Sequence, residues 1–258
     1  MSIRARTIRL PLGIPLVIGV AWAVSLAVHA TGSGRRIHHD GLLEEGLPAP
    51  AVLAGYATAW LVMVAAMMLP SAIPLLRLYA GASASQSHPG PVLAAFTGGY
   101  LAVWTLFGWL ALALDSIIHR TVDAVGWLGD RPWLLTAGTL AFAGAFQFSG
   151  MKDRCLKQCR HPAVYLQRHY RRGARAAFSL GWGHGLFCLG CCWALMLVMF
   201  AVGVTDIRWM APLAGLMAYE KIGRHGEAVG AGAGVALLVG ASLIAHHPGW
   251  LPTTLDGG

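Results

Sequence analysis

The residues best suited to chemistry lie in one apolar run, Gly181-Trp182-Gly183-His184-Gly185-Leu186-Phe187-Cys188-Leu189-Gly190-Cys191-Cys192-Trp193-Ala194-Leu195-Met196. His184, Cys188 and Cys192 follow one another at i, i+4 and i+8, and Cys191 stands three past Cys188. On a helix such spacings share a face, so an imidazole and thiols line one stripe, with Met196 a turn further on. Soft thiolate, thioether and imidazole donors suit Cu(I) or Zn(II) better than Mg or Ca. A lone cysteine in an apolar helix would read as a small packing residue. Three of the chain's five cysteines within five positions, in phase with a histidine, read as a site. Adjacent Cys191 and Cys192 point about 100° apart on a regular helix, so the two need not serve one ion.

Other stretches offer donors of the same kind. Met63 and Met67 are i, i+4 in an apolar segment that runs from Ala51 to Pro70, where Pro70 and Pro74 are expected to break or kink the helix. Cys155 and Cys159 are i, i+4 among cations, which favour the thiolate. Glu220 ends a short apolar segment, and an acidic side chain there is a functional signal. His38-His39-Asp40 lies in a polar stretch that reads as a solvated loop. Gly226, Gly230 and Gly234, four apart, form a small-residue face for close helix packing.

The elements that must position these groups are membrane helices. The 258 residues are 56% hydrophobic and 12% charged, and apolar windows of about 20 residues, the length that crosses a bilayer, recur throughout. The expected fold is a single all-α polytopic transmembrane bundle. Its seven spans cover 10–30, 51–70, 92–118, 133–150, 176–204, 207–221 and 228–247, with the sixth short enough to be re-entrant. Residues 151–175 read as a basic cytoplasmic loop and 248–258 as an exposed tail. The first span is expected to be retained rather than cleaved as a signal peptide.

The net charge of +8 does not point to nucleic acid, because eight of the nineteen Lys and Arg fall between Lys152 and Arg175. Such a cluster beside membrane helices follows the positive-inside rule and matches anionic lipid headgroups. With the N-terminus cytoplasmic, fourteen of the nineteen cations lie on inner segments. That topology sets His184 to Cys192, Met63, Met67, Glu220, Cys155 and Cys159 toward the same inner half of the bilayer.

Three phrases carry a resemblance: Trp60-Leu61-Val62-Met63-Val64-Ala65-Ala66-Met67-Met68-Leu69-Pro70; Phe146-Gln147-Phe148-Ser149-Gly150-Met151-Lys152 with Cys155-Leu156 and Cys159-Arg160-His161-Pro162; and His184-Gly185 through Cys188-Leu189-Gly190-Cys191-Cys192-Trp193. They resemble a bacterial family of predicted metal-binding integral membrane proteins, a domain family of unknown function. Trp209-Met210 and Glu220-Lys221 match its later part, and the resemblance covers about Ala51 to Gly240. It departs at Gly203-Val204-Thr205, where a Gly-x-Met is expected. The resemblance implies a metal and names neither the ion nor the activity.

The reading that follows is a bacterial inner-membrane protein that binds or passes a soft ion, Cu(I) or alternatively zinc, rather than turning over a substrate. Cys188, Cys191, Cys192 and His184 would be the core ligands, with Met63, Met67 and Glu220 added and Cys155 and Cys159 as a way in or out. A metallochaperone or metalloenzyme would be its partner. The alternative from another class is an intramembrane thiol–disulfide oxidoreductase, in which Cys188-Leu189-Gly190-Cys191 exchanges with Cys155 and Cys159.

Overall fold

The computed structural model describes residues 11–32, 48–129, 131, 133–202 and 206–247, and these are helical with short connections. The helices are α1 (Gly13–Ala30), α2 (Ala49–Ser83), α3 (Pro89–Ala124), α4 (Trp133–Phe146), α5 (Gly150–Arg160), α6 (Pro162–His169), α7 (Ala174–Val202), α8 (Ile207–Ile222) and α9 (Gly226–His246), with a single helical turn at Gly126–Gly129 between α3 and α4. His38-His39-Asp40, Gly203-Val204-Thr205 and the tail 248–258 lie outside the described residues. Helix α7 is the hub, packed along α3 and against α4 and α5, while α2 joins α1, α3 and α8, and α9 lies on α4.

Several local features explain the boundaries. Pro50, Pro89 and Pro162 stand in the first turns of α2, α3 and α6, where the missing N–H is not needed. Ser149 caps α5 by accepting the Lys152 N–H, and α4 and α5 meet there at 62°. Asp206 caps α8 through the Arg208 N–H. Gly173, with φ +98°, makes the turn into α7 that other residues would resist.

Two expectations change. Pro70 and Pro74 do not end the second helix, which continues through both to Ser83. Proline at 70 deprives the Ala66 carbonyl of its usual donor, and the Trp22 indole N–H from α1 donates to that carbonyl at 3.0 Å. Residues 151–175, read as a basic connecting loop, are largely helical, as α5 and α6, with Lys152 and Cys159 buried.

Five described helices are long and apolar enough to cross a membrane: α1, α7, α9, residues Pro50–Ser83 of α2 and Pro89–Val122 of α3. The bent pair α4–α5 would make a sixth, and α8 has 16 residues.

Glycine sets the closest helix approaches. A Cβ at Gly99 would collide with the Phe178 carbonyl, and one at Gly181 with the Phe96 carbonyl, so α3 and α7 meet backbone to backbone. The face of Gly226, Gly230 and Gly234 is buried, packed on Glu220, Gln147 and Phe148.

Candidate metal centre

Helix α7 turns its thiols inward. Cys188, Cys191 and Cys192 are each about 1% exposed, and His184 is 4% exposed. The Cys188 carbonyl accepts both the Cys191 thiol, at 3.1 Å, and the Cys192 thiol, at 2.8 Å. The adjacent pair diverges: Cys192 Sγ lies 3.8 Å from Met68 Sδ of α2, while Cys191 is buried in the same core as Cys159 of α5. Cys155 is partly exposed and lies against Gly190, where a Cβ would stand 2.5 Å from its sulfur.

The neighbouring helices pack around these thiols. Tyr100 of α3 places its hydroxyl 3.0 Å from Cys188 Sγ and 3.2 Å from the Met68 carbonyl, to which it donates. The His184 ring stacks beside Tyr100, centroids 5.8 Å apart, and meets Tyr165 of α6 at 5.7 Å. Its Nδ1 is buried and has no hydrogen-bond partner among the described residues. Met63 and Met67 are fully buried on α2.

Two lysines enter this interior, and the sequence reading assigned a role to neither. Lys221 Nζ lies 3.0 Å from Cys188 Sγ, 3.9 Å from Cys192 Sγ and 2.9 Å from Ser71 Oγ. Lys152 pairs with Glu220 at 2.7 Å and also donates to Gln147 Oε1. Glu220 therefore has a cation as its partner, while Arg160 donates to the Glu220 and Gly223 carbonyls. Beside the pair lies a cavity of about 320 Å³, lined by Gln147, Lys152, Asp153, Glu220 and Glu227 among others. The Gln147 side-chain nitrogen is buried there with no partner among the described residues.

The five cysteines are free thiols. Among the described residues no three His, Cys, Asp or Glu side chains are arranged as they stand to hold a metal ion. The thiols of Cys191 and Cys192 are turned onto a backbone carbonyl, the arrangement of protonated groups. Rotation about χ1 would free both. The donor set itself is soft and dry, and the buried, unpartnered Nδ1 of His184 lies one helical turn from Cys188, so the residues fit a thiophilic ion.

A sequence profile of the PpoB2 family, described as a copper chaperone, matches residues 57–244. The chain belongs to the PpoB2 copper chaperone family. The matched region runs from α2 to α9 and contains every thiol, methionine and lysine described above, in keeping with the metal-binding family that the motifs resemble. No curated protein and no solved structure matches.

Proposed function

We propose that this chain is a membrane-embedded copper handler that holds Cu(I) as cargo on sulfur donors buried in its helical bundle. Cys188 and Cys192 would supply thiolates and Met68 a thioether. His184 and Cys191 stand beside them as further donors, and Met63 and Met67 extend the sulfur-rich wall of α2. The observation that carries the reading is the approach of Cys192 and Met68 beside Cys188, sulfurs from two helices gathered away from solvent. Thioether and thiolate together favour Cu(I) over zinc, which takes a tetrahedral set of harder and softer donors. Copper would reach this group by way of the cavity at Glu220, with Cys155 and Cys159 between the cavity and α7. The natural partner is a protein that donates copper to this chain or receives it.

The membrane setting rests on the outward faces. Leu110, Leu114, Ile117, Val235, Val239 and Leu243 are about half exposed along α3 and α9, a density of apolar surface that water does not tolerate over such areas. We place the protein in a bacterial inner membrane, N-terminus cytoplasmic, with Arg168, Arg171 and Arg175 toward anionic headgroups. The decisive test is competition for Cu(I) between the detergent-purified, reduced protein and a chromophoric chelator. Cys188→Ser and Cys192→Ser should each weaken binding at least about tenfold; wild-type affinity in both would refute the site.

One observation favours the redox alternative: the Cys155 sulfur of α5 lies against Gly190 of α7, next in sequence to Cys191. Alkylation trapping in cells separates the two. An oxidised thiol pair between α5 and α7 would support exchange chemistry, and thiols that stay reduced under every growth condition would reject it.

A further inference from the structure

We infer that Lys221 is a specificity-determining residue, a fixed positive charge that lets the buried thiol site hold a monovalent ion and disfavours a divalent one. The inference rests on the copper reading above and assigns a role to a residue that no sulfur or histidine pattern marks.

Lys221 lies in the last turns of α8, yet its ammonium does not reach solvent: the residue is 6% exposed. A buried cation needs negative or strongly accepting partners. The acidic residue next to it, Glu220, is taken by Lys152 at 2.7 Å, and that ammonium also serves Gln147. Lys221 is left with Ser71 Oγ at 2.9 Å, Cys188 Sγ at 3.0 Å and, further off, Cys192 Sγ at 3.9 Å. Its charge is therefore directed at the sulfurs proposed to bind the ion.

The charge count then decides between metals. Two thiolates and one ammonium leave a single negative charge, which one Cu(I) neutralises. A Zn(II) ion on the same groups leaves the site with a net positive charge in an interior that shields it poorly. Each thiol that becomes a ligand releases its proton to water, and no electron moves. Lys221 need not leave on loading, because an N–H donated to a metal-bound sulfur is an ordinary outer-shell support. Removing the ammonium would reverse the preference, making the bis-thiolate site neutral with a divalent ion and anionic with Cu(I).

The test is to measure Cu(I) and Zn(II) affinities separately, each against a competing chelator, on the reduced full-length protein in detergent. Lys221→Met, or Lys221→Gln if the first does not fold, should lower the Cu(I)-to-Zn(II) affinity ratio about tenfold or more. Lys221→Arg keeps the charge and should stay near the wild-type ratio. A folded neutral variant with an unmoved ratio overturns the inference, and so does a tenfold shift in Lys221→Arg. If wild-type protein binds no Cu(I), or Cys188→Ser leaves its binding intact, the copper site itself is wrong. If Cu(I) binding depends on Cys188 but its ratio to Zn(II) ignores Lys221, only the role of Lys221 fails.

Discussion

Cys188 is held from three directions: its thiol meets Tyr100 and Lys221, and its carbonyl accepts the thiols of Cys191 and Cys192. Tyr100→Phe removes the hydroxyl shared by Cys188 and the Met68 carbonyl, and should cost about 1 kcal/mol of stability in thermal melts, with a looser Cu(I) site. The Lys152–Glu220 pair is buried on both sides, at 3% and 1% side-chain exposure. Glu220→Ala should destabilise by about 3 kcal/mol or more because Lys152 is left unpaired, and the double change Lys152→Met with Glu220→Leu should recover most of that. A double variant as unstable as the single one would show that the pair is not the cause. At this scale the sequence was informative only for local spacing. The common face of His184, Cys188 and Cys192, and the divergence of Cys191 from Cys192, follow from helical geometry. Lys221 and Lys152 were hidden because their partners are distant in the chain: 33 residues separate Lys221 from Cys188, and 68 separate Lys152 from Glu220.

Helix α2 shows how a proline rule yields to a neighbour. Pro70 was expected to break or kink the helix, and local pattern alone supports that. The indole of Trp22, 44 residues away, takes up the Ala66 carbonyl instead, which keeps Met68 on a continuous helix beside Cys192. Trp22→Phe keeps the ring's packing and removes the donor, so it should cost about 1–2 kcal/mol; an unchanged melting midpoint would argue that α2 runs through Pro70 unaided. The crossing of α3 and α7 is equally exposed to a single change. Gly181→Ala would press a methyl on the Phe96 carbonyl and should destabilise by about 1–3 kcal/mol, whereas the same change at Gly98, where a Cβ meets nothing within 4 Å, should be close to neutral. The glycine face of α9 could be read from its four-residue spacing. What it packs on could not, since Gln147 lies in the link between α4 and α5 and Glu220 on α8, which only the assembled bundle brings together.

For the whole molecule, apolar content gave the helical class and the long windows, while the number of crossings depends on how the bent pair α4–α5 and the 16-residue α8 are disposed. Charge patterning along the chain makes the orientation testable: a reporter fused after Gly173 should be active only in the cytoplasm, and periplasmic activity would invert the topology proposed here. The central claim is that copper sits on sulfur from α7 and α2. X-ray absorption at the copper edge on the Cu(I)-loaded protein measures that directly. The account predicts a first shell dominated by sulfur that loses sulfur in both Cys192→Ser and Met68→Leu. A shell of nitrogen and oxygen alone, or a sulfur shell indifferent to both substitutions, would contradict it.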